Sequence, residues 1–310
     1  MTEIKIKKAK DFSIPSIALG CMRINELAQS EADKLIKTSL ELGINFFDHA
    51  DIYGDGRCEE IFAKSIGTTS SVRDDIILQS KCAIRKGVAF DFSKEHILNS
   101  VDGILKRLNT DYIDILLLHR PDTLIEPEEV TEAFAKLQSS GKVKYFGVSN
   151  QNSSQIDLLQ HYLNSAGIKL MFNQLQISIA HCPMIDAGFN VNMENKLSID
   201  HDNGTLDYCR LNDITIQGWS PLQYGFFDGV FLKDDKFPEL NKVLMELAKK
   251  YDVPESAIAI AWILRHPAKM QAIVGTTSVE HLIDMSKACD VELSREEWYA
   301  LYMAAGKVLP

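Results

Sequence analysis

Four side chains along this sequence could work together on a carbonyl group: Asp48, Tyr53, Lys81 and His119. A tyrosine hydroxyl is a weak acid, with an ordinary pKa of about 10, too high for efficient proton donation near neutrality. An ammonium beside it stabilises the phenolate and lowers that value. Lys81 could supply the ammonium, and Asp48 the carboxylate that holds it by ion pairing. His119 could then orient a carbonyl and donate to its oxygen. Each residue alone has a plainer role. Asp48 would serve as a helix cap or loop acid, Lys81 as a solvated lysine, His119 as a satisfied histidine and Tyr53 as a packing residue. The case for chemistry therefore rests on where the elements put them.

Those elements alternate. Short β-rich apolar runs occupy 16–20, 45–48, 76–80, Ile113–Leu118, 144–148, 170–177, 214–219 and 273–274. Amphipathic segments lie between them. The clearest has Ile97, Leu98, Val101, Ile104, Leu105 and Leu108 at helical spacing behind the start signal Ser93. Others begin at Ser30, with Asp33 as a capping-box-like acid, and cover about 58–66, 127–141 and 154–163. Eight strands alternating with helices favour a parallel sheet. No G-x-G-x-x-G turn follows an early strand, which weakens an open dinucleotide fold. Eight units in 310 residues fit a closed barrel, which takes roughly 250. The expected fold is α/β, a (β/α)8 TIM barrel forming a single domain over 1–310. A β-hairpin at 4–14 precedes it, and an extra helix with Trp298, Leu301 and Tyr302 follows it.

In such a barrel the C-terminal strand ends converge on one rim. Asp48, Lys81 and His119 close three consecutive strands. Ser149 and Asn150 close the fifth, Gln174 lies in the sixth, and Trp219 and Ser220 close the seventh. Two stretches, 180–204 and 223–238, exceed ordinary loop length and read as lids or binding loops over that rim.

Composition narrows the function. A net charge of −10 argues against a nucleic-acid or anionic-membrane binder. No apolar stretch approaches the roughly 20 residues that span a bilayer. The first ten residues lack the apolar core of a signal peptide, so a cytoplasmic location is expected. The six cysteines are scattered with no C-x-x-C pair, as buried free thiols would be. Asp48-His49-Ala50-Asp51 could suggest a metal site. Neighbours on a strand face opposite ways, so His49 should not share a pocket with Asp48, and no metal is expected.

F-F-D-H-A-D-I-Y-G (46–54), Q-S-K-C (79–82), L-L-H-R-P-D (117–122), G-K-V-K-Y-F-G-V-S-N (141–150), F-N-Q-L-Q (172–176) and G-W-S-P-L (218–222) together closely resemble the aldo-keto reductases. The match covers nearly the whole chain in order. The histidine at 49 and E-W-Y-A-L-Y near the C-terminus resemble its bacterial YdhF-like oxidoreductase branch. The resemblance implies a catalytic tetrad of Asp48, Tyr53, Lys81 and His119 and a nicotinamide cofactor, NADPH with NADH possible. It implies that Ser149, Asn150 and Gln174 hold the carboxamide and that Trp219 stacks on the ring. Ser220 and Leu222 would line the pyrophosphate site. Gly275, Thr276, Thr277 and Ser278 would receive the adenosine phosphate at a helix start. His281 stands where the family has an arginine and Met285 where it has an asparagine. The expected preference for NADPH is therefore modest, widening below about pH 6.5, where histidine charges.

The reading is thus an oxidoreductase reducing aldehydes or ketones. The alternatives are a nicotinamide-sensing regulatory module with little turnover and a metal-dependent hydrolase on the same barrel. Expected pocket walls are Cys21, Met22, Tyr53, Arg120 and parts of both long loops, mostly apolar with one cation. The partner is a small-molecule carbonyl compound, and the sequence sets no oligomeric state.

Overall fold

A computed structural model describes residues 4–9, 12–67 and 70–309. Its strands are β1 (Ile6–Ala9), β2 (Phe12–Pro15), β3 (Ile17–Gly20), β4 (Phe46–Asp48), β5 (Ile77–Cys82), β6 (Ile84–Arg85), β7 (Ala89–Phe90), β8 (Ile113–Leu118), β9 (Val143–Ser149), β10 (Leu170–Gln176), β11 (Thr215–Trp219) and β12 (Gln271–Val274). Eight of these, β3, β4, β5, β8, β9, β10, β11 and β12, close in that order into a barrel, β12 pairing back to β3. Every pair around the ring is parallel. The helices are α1 (Gln29–Glu41), α2 (Arg57–Ile66), α3 (Ser70–Asp75), α4 (Lys94–Leu108), α5 (Pro127–Ser139), α6 (Ser153–Leu163), α7 (Pro183–Phe189), α8 (Thr205–Leu211), α9 (Pro238–Tyr251), α10 (Glu255–Arg265), α11 (Val279–Ser286) and α12 (Arg295–Ala304). The expected (β/α)8 barrel is therefore the fold.

Strand β8 is apolar but for Asp114, whose buried carboxylate pairs with Arg73 at 2.8 Å and with Lys144 at 3.0 Å. All six of its residues are buried. Ile115 and Leu117 join Phe46, Phe172 and Ile273 in one cluster, while Leu116 and Leu118 join the larger cluster that includes helix residues such as Ile104. A strand covered on both faces has no polar side. The smaller cluster also takes Ala9 and Ile14 from the β1–β2 hairpin, whose residues 10–11 lie outside the described ones. The hairpin is more than an appendage. The ammonium of Lys7 donates to the carbonyl of Met270, and Phe12 packs on Tyr145 at 4.8 Å.

Helix α4 starts at Ser93 as expected, its hydroxyl accepting from the His96 N–H at 3.3 Å. Helix α1 differs. It begins one residue earlier, and Glu31, not Asp33, reaches back to the Ala28 N–H at 2.9 Å. Only the third helical position can make that return bond. Helix α3 and the β6–β7 ribbon carry no apolar periodicity and went unforeseen.

The stretch 180–204 is not a lid. Helix α7 within it docks against α12. Asp186 accepts from the Tyr302 hydroxyl at 2.8 Å and pairs with Lys307, and Phe189 packs on Tyr302 at 5.1 Å. Helix α12 in turn stacks Trp298 on Trp262 at 4.6 Å, and each indole N–H donates to the other residue's carbonyl. The segment's length serves this clamp outside the barrel.

Gly147 is where two barrel strands crowd. A Cβ there would lie 2.6 Å from the Phe172 carbonyl oxygen and 2.7 Å from the Leu117 side chain. Gly147→Ala should cost roughly 1–3 kcal/mol of stability, the usual scale of overpacking. Gly188→Ala, in α7 with open space around it, should be neutral or stabilising by up to about 1 kcal/mol. Urea unfolding of both variants checks this, and equal effects would contradict the crowding.

Candidate active site

Lys81 sits at the end of β5 with no solvent exposure. An ammonium there must be fully paired, and it is. Its Nζ lies 2.8 Å from each Asp48 carboxylate oxygen, 2.8 Å from the His49 carbonyl and 3.2 Å from the Tyr53 hydroxyl. Burial alone would lower the Lys81 pKa, but Asp48 and Tyr53 outweigh it and hold the value above the ordinary one. Tyr53 runs opposite to expectation. Burial raises its pKa, Lys81 pulls it down, and burial wins. Lys81 thus limits the rise without reversing it, and the phenol stays protonated at neutral pH.

His119 follows β8 and meets Tyr53 edge-on at 5.8 Å. Burial, then the charges of Lys81 and Arg120, hold its pKa well below the ordinary histidine value. The imidazole is therefore neutral. The structure brings all four expected residues together, three at strand ends and Tyr53 in the turn that precedes α2.

An unforeseen feature lies beneath them. Asp48 Oδ1 also accepts from Gln79 at 2.6 Å and from Gln174 at 3.0 Å. Both amides donate in addition to Gln217 Oε1, at 3.0 and 3.3 Å. Gln217 donates to Gln271 at 2.8 Å, and Gln271 donates to the Pro15 carbonyl at 2.7 Å. The strand register aligns Gln174, Gln217 and Gln271 as neighbours. The backbone carbonyl at one end and the carboxylate at the other can only accept, so the direction of donation must reverse along the ladder. It reverses at Gln79 and Gln174, whose nitrogens serve Asp48 on one side and Gln217 on the other, while Gln217 and Gln271 turn theirs toward Pro15. Gln174 is thereby fixed with its nitrogen toward Asp48. The signal was present in the sequence as single glutamines inside apolar runs, I-L-Q-S, T-I-Q-G and M-Q-A-I.

A cavity of about 1260 Å³ opens on the tetrad. Met22, Arg120, Ser149, Asn150, Gln174 and Trp219 line it as expected, as do Ser220, Leu222, Gly275, Thr276 and His281. Asn150 is satisfied within the chain, donating to Ser149 Oγ at 2.8 Å and accepting from Trp219 Nε1 at 3.2 Å. Asn150 and Ser220 hold left-handed backbone angles, φ 57 and 49, a strained conformation that over-determined sites retain. Three expectations need correction. Cys21 is wholly buried, its thiol against the Leu19 carbonyl, and forms no wall. Thr277 and Ser278 are absent from the lining, since the Ser278 hydroxyl caps α11 by accepting from the His281 N–H. Of the two long stretches only 223–238 contributes, through Phe226, Phe227 and Lys233 among others. The guanidinium of Arg23 donates to the Gly275 carbonyl across the cavity's edge, a contact the sequence did not suggest.

Among the described residues no group of three or more His, Cys, Asp or Glu is placed to hold a metal. His49 is buried against Phe62 at 4.6 Å with both ring nitrogens unpartnered. Burial, with the Lys81 charge, pushes its pKa down to about 3. An unfolded histidine charges near pH 6.5. A folded value below the unfolded one contributes stability that is whole above about pH 6.5 and is lost as pH falls toward 3. His49→Leu removes that loss. Relative to the parent chain it should gain roughly 2 kcal/mol more at pH 5 than at pH 8. Urea unfolding at both pH values measures it, and a pH-independent difference would contradict the buried neutral ring.

A family model described as the aldo/keto reductase family matches residues 16–304. The chain is 34% identical to the uncharacterised oxidoreductase YcsN of Bacillus subtilis, covering 97% of each. It is 32% identical to a 6-dehydroglucose reductase of Agrobacterium fabrum, covering 98% of each. It is 32% identical to the oxidoreductase YdhF of Escherichia coli, over 87% of this chain and 86% of that one. An aldo-keto reductase from Klebsiella pneumoniae, solved in complex with NADPH, shares the fold with a TM-score of 0.78 at 23% identity, covering 100% of this chain and 98% of that one.

Proposed function

The chain belongs to the aldo/keto reductase family, and from that premise we propose that it is an NADPH-dependent oxidoreductase, one barrel domain over 1–310, that reduces aldehyde or ketone carbonyls with Tyr53 as proton donor. The observation that carries this reading is the unbroken contact Asp48–Lys81–Tyr53 at the floor of the cavity, with neutral His119 beside it.

The cavity suits a dinucleotide. It runs from the tetrad to Gly275 and Thr276, just before the start of α11, where backbone N–H groups and the helix dipole favour phosphate. Trp219 offers a flat wall for the nicotinamide. Gln174, with its nitrogen committed to Asp48 and Gln217, has its oxygen left to accept from a carboxamide. A structural neighbour was solved with NADPH, and the Agrobacterium relative is named as a 6-dehydroglucose reductase.

When bound, the nicotinamide supplies the hydride that the carbonyl carbon receives. Every other role falls to the chain. Tyr53 passes its proton to the carbonyl oxygen. Lys81 stabilises the phenolate left behind, and Asp48 keeps Lys81 charged and in place. His119, being neutral, has one N–H to offer the same oxygen, so it polarises the carbonyl without competing as an acid. Depth in the barrel excludes bulk water and strengthens each of these contacts.

Tyr53→Phe keeps the ring and removes the acid. It should lower kcat at least about 100-fold, within the range of general acid catalysis, with NADPH binding by fluorescence titration largely retained. Near-normal turnover in the variant would sink the mechanism. Turnover by the purified parent chain without a partner excludes the regulatory reading.

Cofactor choice should depend on the adenosine end. His281→Arg places a bidentate cation where a histidine now lines the cavity. NADPH binding should strengthen by about 1 kcal/mol or more, the scale of one charged hydrogen bond, with NADH nearly unaffected. Dissociation constants for both nucleotides decide it, and equal changes would mean that His281 does not meet the 2′-phosphate.

A further inference from the structure

Arg120 is the unexplained charge at the site. It follows His119 directly and lines the same cavity as Tyr53. Its guanidinium lies 5.4 Å from the Phe226 ring centre and 6.0 Å from that of Trp219. Half-buried guanidinium groups are ordinarily paired with a carboxylate. Among the described residues this one has no ion pair. The acid nearest in sequence, Asp122, is turned away, accepting from the backbone N–H groups of Phe92 and Leu124. Of the acids lining the cavity, Asp48 is committed to Lys81, Asp284 pairs with Lys287, and Glu255 opens α10.

The surroundings give the missing partner a shape. Phe226 and Phe227 stand on the 223–238 loop more than half exposed. The loop beneath them is anchored, since the Asn241 amide donates to the Phe231 carbonyl at 2.9 Å and accepts from the Lys233 N–H at 2.8 Å. The mouth is therefore an aromatic wall on a fixed base with a half-buried, unpaired guanidinium between the wall and the tetrad, whereas Arg23, Lys233 and Lys242, which also line the cavity with no ion pair among the described residues, are exposed. Aromatic faces stabilise a guanidinium while leaving its N–H edge free. That edge matches a carboxylate in two parallel hydrogen bonds.

We propose that Arg120 is an anion subsite, and that the substrates are aldehydes carrying a carboxylate at the end remote from the reacting carbon. This rests on the carbonyl-reductase reading of the tetrad and adds the substrate class to it. The reaction is unchanged: the carbonyl carbon gains hydride, its oxygen gains the Tyr53 proton, and the carboxylate stays intact.

The test uses matched aldehydes differing only in that charge, 4-formylbenzoate against 4-formylbenzamide and 4-oxobutanoate against 4-oxobutanamide. The parent protein should prefer each acid over its amide by about tenfold or more in kcat/KM, chiefly through KM, the scale of one charged hydrogen-bonded contact. In Arg120→Met the ratio should fall to near one, and Arg120→Lys should restore part of it, because a point charge lacks the bidentate fork. A parent ratio near or below one overturns the proposal, as does a ratio unchanged in Arg120→Met. A second readout does not need turnover: quenching of tryptophan fluorescence by 4-formylbenzoate in the NADP+-loaded protein. Arg120-dependent binding without turnover of either aldehyde would fault the reductase reading and keep the anion subsite. Binding that Arg120→Met does not weaken overturns the subsite itself.

Discussion

The structure turns on one buried ammonium. Lys81 has no contact with water, and an isolated charge in such a place is ruled out by its desolvation cost. Its partners are therefore conditions of folding as much as of chemistry. Asp48 must meet it with both oxygens, the His49 carbonyl must face inward, and the Tyr53 hydroxyl must close the set. Once Asp48 is committed to Lys81, its carboxylate still has lone pairs to fill. Gln79 and Gln174 fill them, Gln217 and Gln271 fix those amides, and the Pro15 carbonyl closes the line. The hairpin strand β2 at the foot of the barrel is thus bonded, through glutamine side chains, to the acid that holds the buried lysine. Such networks repay their burial only when nearly every member is satisfied. Gln79 Oε1 is the exception, buried and unpartnered. Turning it round would set its oxygen against both Asp48 Oδ1 and Gln217 Oε1.

The same charge sets the neighbours' proton states. The Lys81 ammonium helps to keep both His119 and His49 neutral, burial being the larger cause in each. It also offsets part of the rise that burial imposes on Tyr53. One cation therefore separates two roles among adjacent groups, an acid that retains its proton and an imidazole that does not become an acid. That division follows from distance and dielectric alone.

What the sequence disclosed follows from how strongly each feature is constrained locally. Strand runs such as Ile113–Leu118 are apolar but for the paired Asp114 because both faces are covered, so barrel, order and strand ends were legible. The tetrad was legible because ionisable residues at those ends have one rim to share. The polarity of the Tyr53 shift was not, since it is a contest between burial and Lys81 that only coordinates can weigh. Cys21 reads as a rim residue by position, yet lies wholly behind β3. Ser278 reads as a phosphate ligand, yet its hydroxyl serves the helix cap. The stretch 180–204 reads as a lid by length. Its true constraint, the meeting of Asp186 with Tyr302 and Lys307, joins residues more than a hundred positions apart.

The arrangement divides labour along the cavity. At the tetrad end Asp48, Lys81 and the Tyr53 hydroxyl are tied into the barrel floor, so geometry there is fixed by packing itself. At the mouth, Phe226 and Phe227 are exposed and the Arg120 guanidinium lies over the Phe226 and Trp219 rings. Substitution at the mouth disturbs no buried network, whereas substitution at Gln271 would leave the Pro15 carbonyl without its donor, and at Gln217 would leave the Gln271 oxygen without its donor and the Gln79 and Gln174 amides short of an acceptor. The tetrad is thus held by residues that folding also requires, and the mouth is lined by residues that folding does not. A barrel built in this way can vary its mouth without disturbing its floor.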